Sequence, residues 1–209
     1  MKLTPYIPPD LEKEKQFFLD HDLMLSASSA QQISANGKGL DTYTTRLVRE
    51  HFEGFDPYKY TNEDIERGNE YEPFAADYYE KKFNVKLETS PFIKCGEHWG
   101  VSPDRMVGKN GMVEIKVVND LKYQDIKDGL EKPESKYLWQ TQMQLLGTGR
   151  KWDDLMYYNR KVSDNGEIIE DCVVFRQYPD SDKFVKLEEG IMFGTQMIKD
   201  KLKKYVPKS

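Results

Sequence analysis

Apolar residues recur at two spacings along this chain, helical at both ends and alternating in the middle. Residues 10 to 20 read as a short helix with Asp10 as its N-cap, followed by the small-residue stretch Leu23-Met-Leu-Ser-Ala-Ser-Ser29 and another helical segment. Asn36-Gly-Lys-Gly39 marks a turn. Leu40, Tyr43, Leu47 and Val48 then fall on one helical face, and an acidic helix opens at Thr61, where Glu63 and Asp64 suit the positive end of the helix dipole. Pro73 is expected to kink or restart it, and Phe74, Tyr78 and Phe83 carry it on towards Asn84.

The middle changes period. Phe92 to Cys95, Trp99 to Val107 and Met112 to Val118 read as strands, and Gly108-Lys-Asn-Gly111 is a hairpin turn because Asn-Gly tolerates positive φ. Lys136 to Leu146 reads as a helix, Leu155 to Tyr158 as a strand, and Ile168 to Phe175 as another after the Ser163-Asp-Asn-Gly166 turn. A closing helix runs from Ser181 to Tyr205, with Phe184, Leu187, Ile191, Thr195, Ile198 and Leu202 on one stripe. The implied fold class is α/β (α+β), a central mixed β-sheet flanked by helices. No repeat or linker divides the chain, so residues 1–209 are expected to form a single domain.

Composition narrows the function classes. With 38% hydrophobic, 32% charged and 12% aromatic residues, the chain is too aromatic for a disordered polymer and too polar for a membrane protein. No apolar run approaches the roughly 20 residues of a spanning helix, and the N-terminus lacks a signal-peptide core, which makes the cytoplasm the expected compartment. Cys95 and Cys172 are far apart and form no C-x-x-C, so neither a disulfide framework nor a zinc site is indicated. The net charge of −5 argues only weakly against a nucleic-acid partner, because a basic groove can coexist with an acidic outer surface.

The chemistry concentrates between Ser102 and Lys116. Val113, Ile115 and Val117 alternate with Glu114 and Lys116, which puts the Glu and the Lys on one face of a strand. A tight hairpin brings Asp104 alongside them. Two neighbouring carboxylates raise each other's pKa unless a cation is present, and hard oxygen ligands suit Mg²⁺ or Mn²⁺. Lys116 is then placed to orient or deprotonate a metal-bound water, as phosphodiester hydrolysis requires. An E-x-K triplet alone is usually a surface pair on an edge strand; the preceding Pro103-Asp104 across a credible hairpin is what changes its meaning.

Pro103-Asp104 and Glu114-Ile115-Lys116 together resemble the PD-(D/E)XK nuclease motif, and the surrounding chain is similar to lambda exonuclease and the YqaJ-like viral recombinases. Arg67-Gly-Asn-Glu-Tyr-Glu-Pro-Phe-Ala75, Tyr137-Leu-Trp-Gln-Thr-Gln142 and Thr148-Gly-Arg-Lys-Trp152 carry the narrower likeness, which runs from about residue 61 to 160 and more loosely from 23. The resemblance implies a restriction-endonuclease-like core over 61–178, an N-terminal helical part over 1–60 that binds DNA ends, and a C-terminal helix over 179–209. It implies that Asp104 bridges two metal ions, that Glu114 and the backbone carbonyl of Ile115 complete one site, and that Glu72 helps at one remove or at the other ion. Gln142, an amide in an apolar helical stripe, becomes the expected active-site glutamine, positioning the attacking water with Lys116. A satisfied core glutamine and an ordinary solvated carboxylate are the plain alternatives for Gln142 and Glu72.

The implied activity is Mg²⁺-dependent 5′ to 3′ digestion of one strand of double-stranded DNA, with Mn²⁺ as a possible substitute. It leaves 3′ overhangs for a single-strand annealing protein in phage recombination. A homotrimeric ring is implied too, and would give processivity by topological trapping. For the 5′ phosphate the matching residues are Ser26 and Ser28, but no arginine stands near His21, which leaves Lys38 and Arg46 as candidates. Lys136, Arg150, Lys151, Arg160 and Lys161 are candidates for the DNA path, and His98 and Trp99 read as packing or turn residues. The competing readings are an endonuclease or repair nuclease with the same metal site, and an inactive DNA-binding or assembly subunit.

Overall fold

A computed structural model describes residues 11–54 and 63–204. Its elements in chain order are α1 (Leu11–His21), β1 (Leu25–Ser26), a 3₁₀ turn (Ala27–Ser29), α2 (Ala30–Ala35), α3 (Lys38–Glu53), α4 (Glu63–Phe83), β2 (Leu87–Thr89), β3 (Ile93–Lys94), β4 (Trp99–Val101), β5 (Arg105–Val107), β6 (Gly111–Val117), α5 (Asp120–Lys127), α6 (Ser135–Thr148), β7 (Trp152–Val162), β8 (Ile168–Gln177) and α7 (Ser181–Lys204). The expected cap at Asp10, the helix start at Thr61 and the helix end at Tyr205 lie outside the described residues.

The main sheet has five strands in the order β2-β5-β6-β7-β8, all antiparallel except the β6–β7 pair. That parallel pair needs a crossover, which α5 and α6 supply. The α/β class expected from the sequence is therefore the one observed. On one face Val113 and Ile115 of β6 meet Ala75, Ala76 and Tyr79 of α4; on the other, Met112 packs against Leu145 of α6. A second apolar centre joins Leu25, Ile33, Leu40 and Leu47 to Leu187, Ile191 and Ile198 of α7.

Several elements depart from the expected pattern. Trp99 to Val107 is two strands in two sheets: β4 pairs with β1 and β3, while β5 pairs with β2 and β6. Pro103, which offers no N–H to a ladder, stands at the break. α4 runs unbroken through Pro73; both Pro73 and Asn69, whose carbonyl loses its partner, are exposed, so water can take the place of the missing bond. Along that helix Phe74 and Phe83 stay largely exposed, and Ala75, Ala76 and Tyr79 fill the core instead. In the β5–β6 hairpin the positive φ belongs to Gly108, not to the Asn-Gly pair; Gly111 is a strand residue on which the Trp152 ring lies.

Gly190 in α7 faces α2 so closely that a Cβ there would stand 2.0 Å from the carbonyl oxygen of Ile33. Backbone cannot yield as a flexible side chain can. Gly190→Ala is therefore expected to destabilise the fold by about 1–3 kcal/mol, the usual cost of overpacking, read as a lower urea midpoint at unchanged slope.

Candidate active site

β5 and β6 pair with Arg105 opposite Val113, so one step further along the register Asp104 stands opposite Glu114. Opposed residues of an antiparallel pair share a face. The fork is fixed by a bond from the Ile115 amide N–H to Asp104 Oδ2 at 2.7 Å, which ties the residue before β5 to the middle of β6. Lys116, two residues past Glu114 on the same face, donates to Glu114 Oε1 at 2.5 Å. The structure thus brings Asp104, Glu114 and Lys116 into one cluster.

Glu114 is 1% exposed and carries three donors: Lys116 and Gln140 Nε2, the latter at 2.6 Å, on Oε1, and Gln144 Nε2 at 2.6 Å on Oε2. Asp104 has one bonded oxygen and lines a cavity of about 920 Å³ together with Ser102 and Gln140. Burial first, then the charge of Glu114, pushes the Asp104 carboxyl well above the ordinary aspartate range, and Lys116 offsets this only in part. For Lys116 burial pulls the other way, but Glu114 and Asp104 outweigh it and hold the ammonium above the usual lysine value. Its Nζ also lies 4.6 Å from the centre of the Tyr137 ring. Lys116 is accordingly a charged donor and not a free base.

Gln142 does not reach this cluster. Its amide bridges to the start of α7, donating to the Tyr178 carbonyl at 2.9 Å and accepting from the Asp180 N–H at 3.0 Å. The reason is helical phase: Gln140 and Gln144 are four apart and share a face, while Gln142 is two residues, about 200°, from either. The Q-x-Q-x-Q spacing holds that phase, whereas the apolar stripe of Leu138, Leu145 and Leu146 singles out Gln142. Glu72 stands beside the cluster but is paired with Arg105 Nη1 at 2.8 Å, and the same guanidinium nitrogen donates to the Asp104 carbonyl at 2.6 Å.

The same cavity is lined by Ser26, Ser28, Tyr43 and Arg46. Ser26 Oγ bonds Ser28 Oγ at 3.0 Å and Tyr43 Oη at 3.1 Å, and Arg46 lies over the Tyr43 ring. Lys38 is not among the lining residues. Tyr43 and Arg49, which also line the cavity, went unnoticed in the sequence because helical spacing marked Tyr43 as core and nothing marked Arg49. Of the remaining basic candidates, Arg150 is spent on the carbonyls of Gly108 and Gly111, and Arg160 on Glu170. His98 has a packing role, its Nδ1–H donating to the Leu23 carbonyl at 3.1 Å.

No group of three His, Cys, Asp or Glu side chains among the described residues closes a metal site by itself. Two carboxylates plus the Ile115 carbonyl leave most of a coordination shell to water or phosphate oxygens, which is how Mg²⁺ is commonly held. The donor chemistry therefore fits a hard divalent cation: Asp104 keeps an unbonded oxygen, Glu114 uses three of about four acceptor positions, and their mutual repulsion is what such an ion relieves.

A profile of the YqaJ-like viral recombinase domain matches residues 16–151. The fold is similar to that of an alkaline exonuclease, LHK-Exo from Laribacter hongkongensis, with a TM-score of 0.76 and 24% identity over 91% of this chain and 95% of that one. The same figures hold for LHK-Exo in complex with dAMP. A phage-related exonuclease from Haemophilus somnus 129PT superposes with a TM-score of 0.66 and 12% identity over 87% of this chain and 96% of its own. No curated protein matches. No helix among the described residues is long and apolar enough to cross a membrane.

Proposed function

The chain belongs to the YqaJ-like viral recombinase family, whose members are nucleases of recombination, and from that premise we propose that it digests linear double-stranded DNA from its ends. The digestion runs 5′ to 3′ on one strand, leaving a 3′ overhang for a single-strand annealing protein. The observation that carries this reading is the convergence of Asp104, Glu114 and Lys116, of which Asp104 lines a cavity of about 920 Å³.

In this reading Asp104, Glu114 and the Ile115 carbonyl hold Mg²⁺, for which Mn²⁺ can stand in, and Glu72 acts through Arg105 or at a second ion. The ion, when bound, polarises the scissile phosphate and acidifies water. Gln140 and Gln144 keep Glu114 in the orientation that presents its remaining acceptor position. Lys116 places its positive charge where the attacking oxygen and the phosphate gather negative charge, and burial strengthens that interaction. Ser26, Ser28 and Arg46, on the N-terminal part, line the same cavity as Asp104 and receive the 5′ phosphate. Arg46 thereby fills the role for which no arginine stands near His21. LHK-Exo has been seen in complex with dAMP, which agrees with a nucleic-acid substrate. A homotrimeric ring accounts for processive digestion without a strongly basic outer surface.

Digestion of end-labelled linear duplexes, phosphorylated or not at the 5′ end, in Mg²⁺ or EDTA, tests the reading directly. Metal-dependent loss of the 5′-phosphorylated strand from its end is the expected result; cutting of a closed circle would overturn it. Arg46→Ala should erase about tenfold of the preference for phosphorylated ends, the worth of one charge-assisted contact, and leave unphosphorylated ends cut as before.

A further inference from the structure

Among the described residues the buried side-chain atoms without a hydrogen-bond partner are Tyr123 Oη, Gln144 Oε1 and both carboxylate oxygens of Asp153. Three of these four belong to one layer. In the parallel β6–β7 register Asp153 pairs with Met112 and Leu155 with Glu114, so Asp153 emerges on the face that carries Glu114, one pleat earlier. The next residue, Asp154, emerges on the opposite face and is satisfied there by Tyr79 Oη at 2.6 Å and by Arg176. Gln144 descends onto the Glu114 face from α6, next to Leu145, which packs on Met112. Its Nε2 is spent on Glu114, and its Oε1 is left over.

Both leftover groups are acceptors if Asp153 is ionised, and two acceptors cannot satisfy each other. An ionised carboxylate with no donor in a site with no exposed surface is far more costly than a protonated one. Burial, followed by the charges of Glu114, Asp104 and Asp154, drives the Asp153 carboxyl well above its ordinary range, and Lys116 opposes this more weakly. A proton on Asp153 would supply a donor to Gln144 Oε1, which has none.

We propose that Asp153 is a positioning residue for the nuclease site: its carboxylic O–H donates to Gln144 Oε1 and thereby fixes which end of that amide faces Glu114. A flipped amide would set Oε1 against the Glu114 carboxylate, acceptor against acceptor. Asp153 touches neither DNA nor metal in this scheme. The proposal rests on the nuclease reading above, because its consequence is the orientation of a metal-holding carboxylate.

Asp153→Asn keeps a donor for Oε1 without a charge, whereas Asp153→Ala removes it. Asp153→Asn should cleave linear duplex within about threefold of wild type, while Asp153→Ala falls about tenfold, one buried hydrogen bond at roughly 1.4 kcal/mol. In a Gln144→Ala background Asp153→Ala should cost nothing more. A second readout needs no nuclease activity: the melting temperature of wild type relative to Asp153→Asn should decline as pH rises above the ordinary aspartate range, because the folded state keeps a proton that the unfolded state sheds. Equal losses in Asp153→Asn and Asp153→Ala, additive losses with Gln144→Ala, or a pH-independent melting difference would each overturn the proposal. If the wild type leaves DNA intact, the nuclease reading fails, yet the melting comparison still decides whether Asp153 is the proton donor.

Discussion

Lys116→Met should reduce single-turnover cleavage of a linear duplex by roughly 10²–10³-fold, the loss expected when one preorganised donor is taken from a developing negative charge. The side chain is 20% exposed, bonded to Glu114 and seated on the Tyr137 ring, so its ammonium is held in place before any substrate arrives. Methionine fills the same stem volume and removes only the charge. Duplex-end binding, followed by anisotropy in EDTA, should change little, since the lysine contributes to one phosphate late in the reaction and not to the docking surface. Lys116→Arg should be nearly as poor, because a planar fork cannot occupy the compact position between Glu114 and Tyr137. Cleavage by Lys116→Met within tenfold of wild type would remove Lys116 from the reaction.

The alternation of Val113, Ile115 and Val117 with Glu114 and Lys116 was legible because a strand buried on one side by α4 and on the other by α6 imposes the same period on packing and on chemistry. The long amphipathic α7 was equally plain. Less visible was the division of Trp99–Val107 between two sheets: both halves are extended, and only the missing N–H of Pro103 marks the place where pairing partners change. The short α5 has almost no apolar stripe, and its signal is confined to Asn119, whose side chain caps the Lys122 N–H. The glutamines show the same limit more sharply. Three of them stand at alternate positions of α6, and choosing among them needs the axial phase of the helix against the sheet, which depends on Leu145 meeting Met112 across a long stretch of sequence. Asp153 was invisible for a related reason: beside Asp154 in the sequence, it differs from it only in which face of β7 it occupies.

Asp104→Asn should abolish cleavage, by about 10³-fold or more through loss of a carboxylate that would hold the metal, and yet make the metal-free protein harder to melt near neutral pH. In the absence of a divalent ion, burial and the charge of Glu114 raise the Asp104 pKa in the folded state. The folded protein therefore binds more protons than the unfolded chain. For a carboxyl shifted in this direction the stabilising contribution is fully present below the unfolded value of about 3.9 and is lost as pH rises towards the folded value. Metal-free wild type should accordingly lose stability between about pH 4 and neutrality, beyond what Asp104→Asn loses over the same range. Asparagine keeps the bond from the Ile115 N–H through its own oxygen, so the comparison isolates charge. Mg²⁺ at 100 times its dissociation constant should restore about 2.7 kcal/mol to wild type and nothing to Asp104→Asn. Thermal melts across pH, with and without Mg²⁺, read all of these; a variant that gains the same Mg²⁺ stabilisation as wild type would mean that the ion binds elsewhere, and that the two carboxylates face each other for another purpose.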